Sequence, residues 1–172
     1  MNSTPHPMIS LLYYILPHRG WFTWACFNSI LNKILDLMPP VLVGWVIDSV
    51  RREPPEWIAN LVGTADPWSL AVFLAVLGVV IFGFESLFEW AYQYGFMNLA
   101  QRVQHNLRTD AYNHIQKREI EFFENHRMGE TMAMLNDDVN QIERFLNTGF
   151  NELLQLLVLF LFSIFVLVDV SW

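Results

Sequence analysis

Two pairs of charged residues stand inside otherwise apolar stretches, and each pair has helical spacing. Lys33 and Asp36 are three residues apart, so on a helix they share a face, and pairing lowers the cost of holding charge at membrane depth. Asn28 and Asn32 extend that face toward Asp36 at intervals of four. Such a polar stripe either lines a cavity or fixes, through a buried pair, how its helix packs on its neighbours. Glu85 and Glu89, four apart with no basic residue between them, pose a similar choice. Facing a water-filled cavity they stay ionised and favour cationic substrates; buried together, at least one holds a proton; at headgroup level both are merely solvated.

A third feature is a polar segment between two strongly apolar ones. It runs Phe122-Phe123-Glu124-Asn125-His126-Arg127-Met128-Gly129-Glu130 and on to Asn136-Asp137-Asp138-Val139-Asn140. A chain that only sits in a bilayer has no need of this long, patterned excursion into water. Something is meant to push on it.

Other chemistries are absent. There is no G-x-x-x-x-G-K-[ST] to cradle a triphosphate, and the eight glycines form no phosphate-binding cluster. The carboxylates and hydroxyls converge on no recognisable hydrolytic arrangement. His6, His18, His105, His114 and His126 are not spaced as a metal site and read as solvated polar positions. The single cysteine, Cys26, excludes an intrachain disulfide and a thiolate metal cluster. A formal charge of −7 without a dense basic patch argues against nucleic acid.

The elements that carry these residues follow from composition. The chain has 172 residues, 53% of them hydrophobic and 15% aromatic, with a positive mean hydropathy, which places it in the membrane class. Met8 to Leu16, with Tyr13 and Tyr14 at its centre and Pro17-His18-Arg19-Gly20 after it, reads as an interfacial helix lying on the membrane. Arg19 is the first Lys or Arg and no small-x-small site is present, so the first span is expected to stay in the mature protein.

From Trp21 to Val50 the chain is apolar apart from the polar stripe. As a helix it would extend about 45 Å, longer than the ~30 Å hydrocarbon core. Pro39 and Pro40 lack the amides that would bond the carbonyls of Leu35 and Asp36, so a kink is expected there. Arg51 to Asp66 reads as a loop. Asp66-Pro67 marks a helix start, an acceptor at the cap position followed by proline at the first helical one.

Leu70 to Phe84 has no charged residue, and no strong breaker follows before Lys117. Leu99, Val103, Leu107, Ala111 and Ile115 recur every four positions, the pattern of an amphipathic helix in water. The second helix is therefore expected to leave the membrane unbroken. Leu135, Val139, Ile142 and Leu146 form a like seam leading into a third span, Leu153 to Val168. Arg19, Arg102, Arg108, Lys117, Arg118, Arg127 and Arg144 fall on one side of these spans and only Arg51 and Arg52 on the other. The first side, with the N-terminus, is expected to be cytoplasmic.

These residues resemble an ATP-binding-cassette (ABC) exporter, in the N-terminal half of its transmembrane domain. The likeness rests on the surface helix, the long first span with Asn32-Lys33-Ile34-Leu35-Asp36-Leu37-Met38-Pro39-Pro40, the overlong second helix and the polar excursion. Phe122-Phe123, then Gly129-Glu130, then Asn136-Asp137-Asp138-Val139 match the first intracellular loop of that family. One departure is Met134 after Ala133, where the family often has arginine.

The resemblance implies an all-α membrane protein of the type 1 exporter fold, with 1–20 a cytoplasmic N-terminus and elbow helix. Residues 21–172 would hold three spans at about 21–50, 67–117 and 130–170, the last two with cytoplasmic extensions. A short coupling helix within about 118–126 would dock onto a nucleotide-binding domain through Glu119, Glu121, Phe122 and Phe123, with Gly129 and Glu130 completing the step. ATP and Mg2+ would bind that domain, and no cofactor this chain. Partners would be the lipid bilayer, the remaining transmembrane helices, the nucleotide-binding domain and a second subunit, identical or not. The setting would be the plasma (inner) membrane. A complete domain of the family has six spans, so the chain, ending at Trp172, is expected to be a fragment that neither hydrolyses ATP nor transports alone. The competing reading is a stand-alone membrane interaction or signalling protein whose two seams pair as a cytoplasmic helical hairpin.

Overall fold

The computed structural model describes residues 7–51, 55–63, 66–117 and 128–170. Among these residues every regular element is helical: α1 (Pro7–Ile15), a 3-10 turn (Leu16–His18), α2 (Arg19–Asp36), α3 (Met38–Val50), α4 (Glu56–Val62), α5 (Pro67–Gln116), α6 (Met128–Arg144), a π-turn (Phe145–Gly149) and α7 (Phe150–Val170). The chain is an all-α membrane protein. Three runs within these helices are long and apolar enough to cross a bilayer, Leu11–Val50, Pro67–Gln116 and Met132–Ile164, and their most apolar windows are only 11%, 17% and 11% buried within the chain. Val72, Val76, Val79 and Phe82 on α5 and Leu156, Phe160 and Ile164 on α7 are exposed, a surface that lipid or further helices must cover.

Residues 118–127 lie outside the described residues, and with them the expected coupling helix and its contacts Glu119, Glu121, Phe122 and Phe123. The helices on either side are present. α5 runs 50 residues without a break, about 75 Å at 1.5 Å per residue. Asp66 starts it as expected: its Oδ2 accepts hydrogen bonds from the Ser69 amide and hydroxyl, both at 3.1 Å.

The first span is broken where the prolines stand. α2 ends at Asp36, Leu37 makes a turn with its amide 3.3 Å from the Ile34 carbonyl, and α3 begins with a proline in its first two positions.

Two expectations are corrected. The connection read as a loop over Arg51 to Asp66 contains α4. Pro55 opens it, its carbonyl accepting the Ile58 amide at 2.9 Å. Glu56 suits the positive end of the helix dipole, and Gly63, at φ 73°, closes it in the left-handed conformation. The apolar payload decides the outcome: Ile58 is fully buried in a cluster with Leu42, Leu70 and Leu74, flanked by Trp45 and Val62. The second correction is in the third span, where the five-residue π-turn interrupts what reads as one continuous helix.

The chain falls into two compact units. One comprises residues 1–27 and 91–156, the other 28–90 and 157–172. The core of the first is Ile15, Ala25, Phe96, Leu99, Ala100, Val103 and Leu146, so the seam of α5 and the seam of α6 close on each other and on α1 and α2. Phe150 joins them, its ring 5.2 Å from Phe22 and 6.0 Å from Phe96. The second unit is organised around the Ile58 cluster.

Candidate functional site

The polar stripe of α2 divides between two partners. Asn28, Ser29 and Asn32 are buried, and the Asn32 amide donates to the backbone carbonyl of Glu85 at 3.0 Å. A buried side-chain amide needs such an acceptor. This bond ties the stripe to α5 at the level of the first glutamate without using its carboxylate. Lys33 donates from Nζ to Asp36 Oδ2 at 2.8 Å, an ion pair whose side chains are 20% and 48% exposed. Lys33 and Asp36 thus answer each other. Glu85 is half-buried, and Glu89, one turn on, is exposed.

At the other end of α5 lies an arrangement that periodicity does not announce. Asn140 on α6 accepts at its Oδ1 from both Gln104 Nε2, at 3.0 Å, and Arg108 Nη2, at 2.9 Å. All three side chains are half-buried, and Arg108 Nε is buried with no partner among the described residues. This clamp joins the two helices on either side of residues 118–127, beside Val103, Leu107 and Ile142 of the core. The signal for it was the spacing of Gln104 and Arg108, four apart next to the apolar seam. The orientation count took Arg108 only as a positive charge.

Gly129 lies exposed in the first turn of α6, and Glu130 follows it in the same turn. Met134, where the resemblance leads one to look for arginine, is 70% exposed.

The elbow is fastened to α5 by polar contacts. The Tyr14 hydroxyl donates to Asp110 Oδ2 at 2.8 Å, and Asn106 Nδ2 lies 3.5 Å from His18 Nε2. His18 is half-buried against α5 rather than simply solvated. Further along, Trp21 stands edge-on to Tyr94 at 5.9 Å and carries the Arg102 guanidinium over its ring at 5.7 Å. Tryptophan, tyrosine and arginine are side-chain types enriched at membrane–water boundaries.

Comparison with known proteins adds the family. The pattern of the ABC transporter transmembrane region matches residues 22–172. An uncharacterized ABC transporter ATP-binding protein of Bacillus subtilis, YfiC, is 23% identical over 158 residues, which are 92% of this chain and 24% of that protein. A putative multidrug export ATP-binding/permease protein of the same organism, YgaD, is 24% identical over 93% of this chain and 27% of its own length. The multidrug resistance-like ATP-binding protein MdlA of Buchnera aphidicola is 23% identical over 94% of this chain and 26% of its own length. The chain spans about a quarter of the length of these relatives.

Proposed function

The chain belongs to the ABC transporter transmembrane-region family, and from that membership we propose that it is the permease part of an ATP-driven exporter that passes the motion of a nucleotide-binding domain to a substrate path. The observation that carries this reading is the pairing of α5 with α6. Both helices leave apolar runs, both pack apolar seams into one core, and the Asn140 clamp holds them together on either side of Phe122 and Phe123. Two paired helices joined by a short segment form a stiff lever. A force applied to the joining segment reaches the membrane through α5 and α6 with little lost in bending.

In this reading residues 1–20 form the elbow, 21–172 the first three spans, and the N-terminus faces the cytoplasm of a plasma (inner) membrane protein. Glu119, Glu121, Phe122 and Phe123 dock on the nucleotide-binding domain, with Gly129 and Glu130 at the start of the return helix. ATP and Mg2+ bind that domain, so this chain alone neither hydrolyses ATP nor transports. A second subunit completes the substrate path. The names of the relatives that mention multidrug export support drugs as the substrate class. Asn32, tied to a backbone carbonyl, and the Lys33–Asp36 pair serve helix packing, and Glu85 and Glu89, near the inner end of the second span, are the carboxylates placed to favour a cationic substrate if they face the cavity.

The test uses the full-length protein. Phe122→Ala and Phe123→Ala are expected to retain basal ATP hydrolysis while substrate efflux into inverted vesicles falls. Substrate-stimulated hydrolysis and transport unchanged in both variants would refute the docking role.

A further inference from the structure

We infer that the cleft between the elbow and α5 is a binding site for the ammonium group of a phospholipid headgroup from the cytoplasmic leaflet. The cleft measures about 230 Å³, with Tyr13, Tyr14 and Pro17 on one wall and His105, Thr109 and Asp110 on the other. Three features select the ligand.

The first is charge. Among the described residues, Asp110 is the carboxylate of the cleft, and no lysine or arginine lines it. Its Oδ2 accepts from the Tyr14 hydroxyl at 2.8 Å. A cation is favoured and an anionic headgroup such as glycerol phosphate is repelled.

The second is aromatic surface. Tyr13 and Tyr14 stand edge to face, centroids 6.3 Å apart and planes at 89°, and Tyr13 is 74% exposed. Two rings at right angles beside a carboxylate make the kind of corner that holds an alkylammonium by cation–π attraction.

The third is position. Leu12 and Leu16, on the same elbow, are 56% and 62% exposed, apolar side chains suited to lie among acyl chains. The boundary residue Arg102 precedes Asp110 on α5 by two turns, about 12 Å. The carboxylate therefore sits at the outer edge of the headgroup layer, where the terminal amine of the lipid is found. This placement rests on reading the elbow as interfacial and its side as cytoplasmic, and it is independent of ATP-driven export.

The experiment reconstitutes the full-length protein, without nucleotide, in nanodiscs of equal phosphatidylethanolamine and phosphatidylglycerol. Lipid retained after partial delipidation is counted by native mass spectrometry. Phosphatidylethanolamine is expected to be retained over phosphatidylglycerol by about fivefold, Asp110→Asn to bring the ratio near one, and Tyr14→Phe, which keeps the carboxylate, to preserve it. Tyr13→Ala alters only an exposed ring and is expected to lower the ratio, which keeps the test open if Asp110→Asn fails to fold. No preference in the wild type, an unchanged ratio in both Asp110→Asn and Tyr13→Ala, or equal loss in Tyr14→Phe and Asp110→Asn would overturn the proposal. So would displacement of the lipid by soluble phosphoethanolamine at equal concentration, since the free amine would then be the ligand.

Discussion

Gly95 of α5 and Ala25 of α2 meet so closely that a Cβ built at residue 95 would stand 2.9 Å from the Ala25 Cβ and 3.2 Å from its Cα. Small residues permit this approach of two helices where lipid supplies no hydrophobic drive between them. Because one of the atoms met is backbone, no rotamer change relieves the contact.

Gly95→Val is therefore expected to destabilise the protein by about 1–3 kcal/mol, although replacing glycine inside a helix ordinarily gains up to about 1 kcal/mol. The contact outweighs the propensity. Thermal unfolding of the detergent-solubilised protein would read the loss, and Ala25→Gly in the Gly95→Ala background should recover part of it by removing the opposing methyl.

Asn140→Ala removes one acceptor from two donors and leaves the Gln104 amide and the Arg108 guanidinium, whose Nε already lacks a partner among the described residues, half-buried and unmet. A cost of about 1–3 kcal/mol is expected. Asn140→Asp keeps the acceptor and adds a charge opposite Arg108, so it should be no less stable than the wild type. Comparing the two thermal midpoints separates a lost acceptor from a lost shape.

For the pair in α2, Asp36→Asn strands the Lys33 ammonium, whereas Lys33→Met with Asp36→Leu removes both charges. The double variant is expected to be more stable than Asp36→Asn by about 1 kcal/mol, a figure held down by the partial exposure of both side chains. A double-mutant cycle in the unfolding midpoint would expose the coupling. An additive cycle would mean that the two side chains act independently.

The π-turn supplies a different kind of prediction. A π-turn holds one residue more than the α-helix around it, so deleting Thr148, which is exposed, should let α6 run into α7 as plain α-helix with both faces kept. Deleting Ala100, fully buried in α5, turns every later residue by about 100° and should abolish folding. Yield and monodispersity after size-exclusion chromatography would tell the two apart.

What could be read in the linear order of residues was whatever repeats. The three spans showed as apolar runs, the seams of α5 and α6 as intervals of three and four, and the start of α5 as Asp66-Pro67. Each of these signals is local. α4 escaped notice because it is seven residues long and owes its existence to Ile58 reaching Leu42, Leu70 and Leu74 from a distance. The π-turn escaped because an added residue shifts phase without changing composition. Of the site, Lys33 with Asp36 was visible because the partners are neighbours in sequence. Asn32 with the Glu85 carbonyl and Asn140 with Gln104 and Arg108 join residues far apart in the chain, and one acceptor among many asparagines carries no mark of its partner.

The break at Leu37 has a bearing on water. The carbonyls of Leu35 and Asp36 cannot be met by amides at residues 39 and 40, since both are proline, and hydrocarbon offers no substitute. The first span, divided this way, needs another partner for these two carbonyls, and water beside the Lys33–Asp36 pair would supply one. The second half is not a membrane crossing by itself: α3, at 13 residues, rises about 20 Å, short of the ~30 Å hydrocarbon core. Water at this break would make the bilayer around the first span a notched rather than a uniform slab, and a probe of solvent access placed at Leu35 is expected to report water at a depth where the opposite face of α5 reports none.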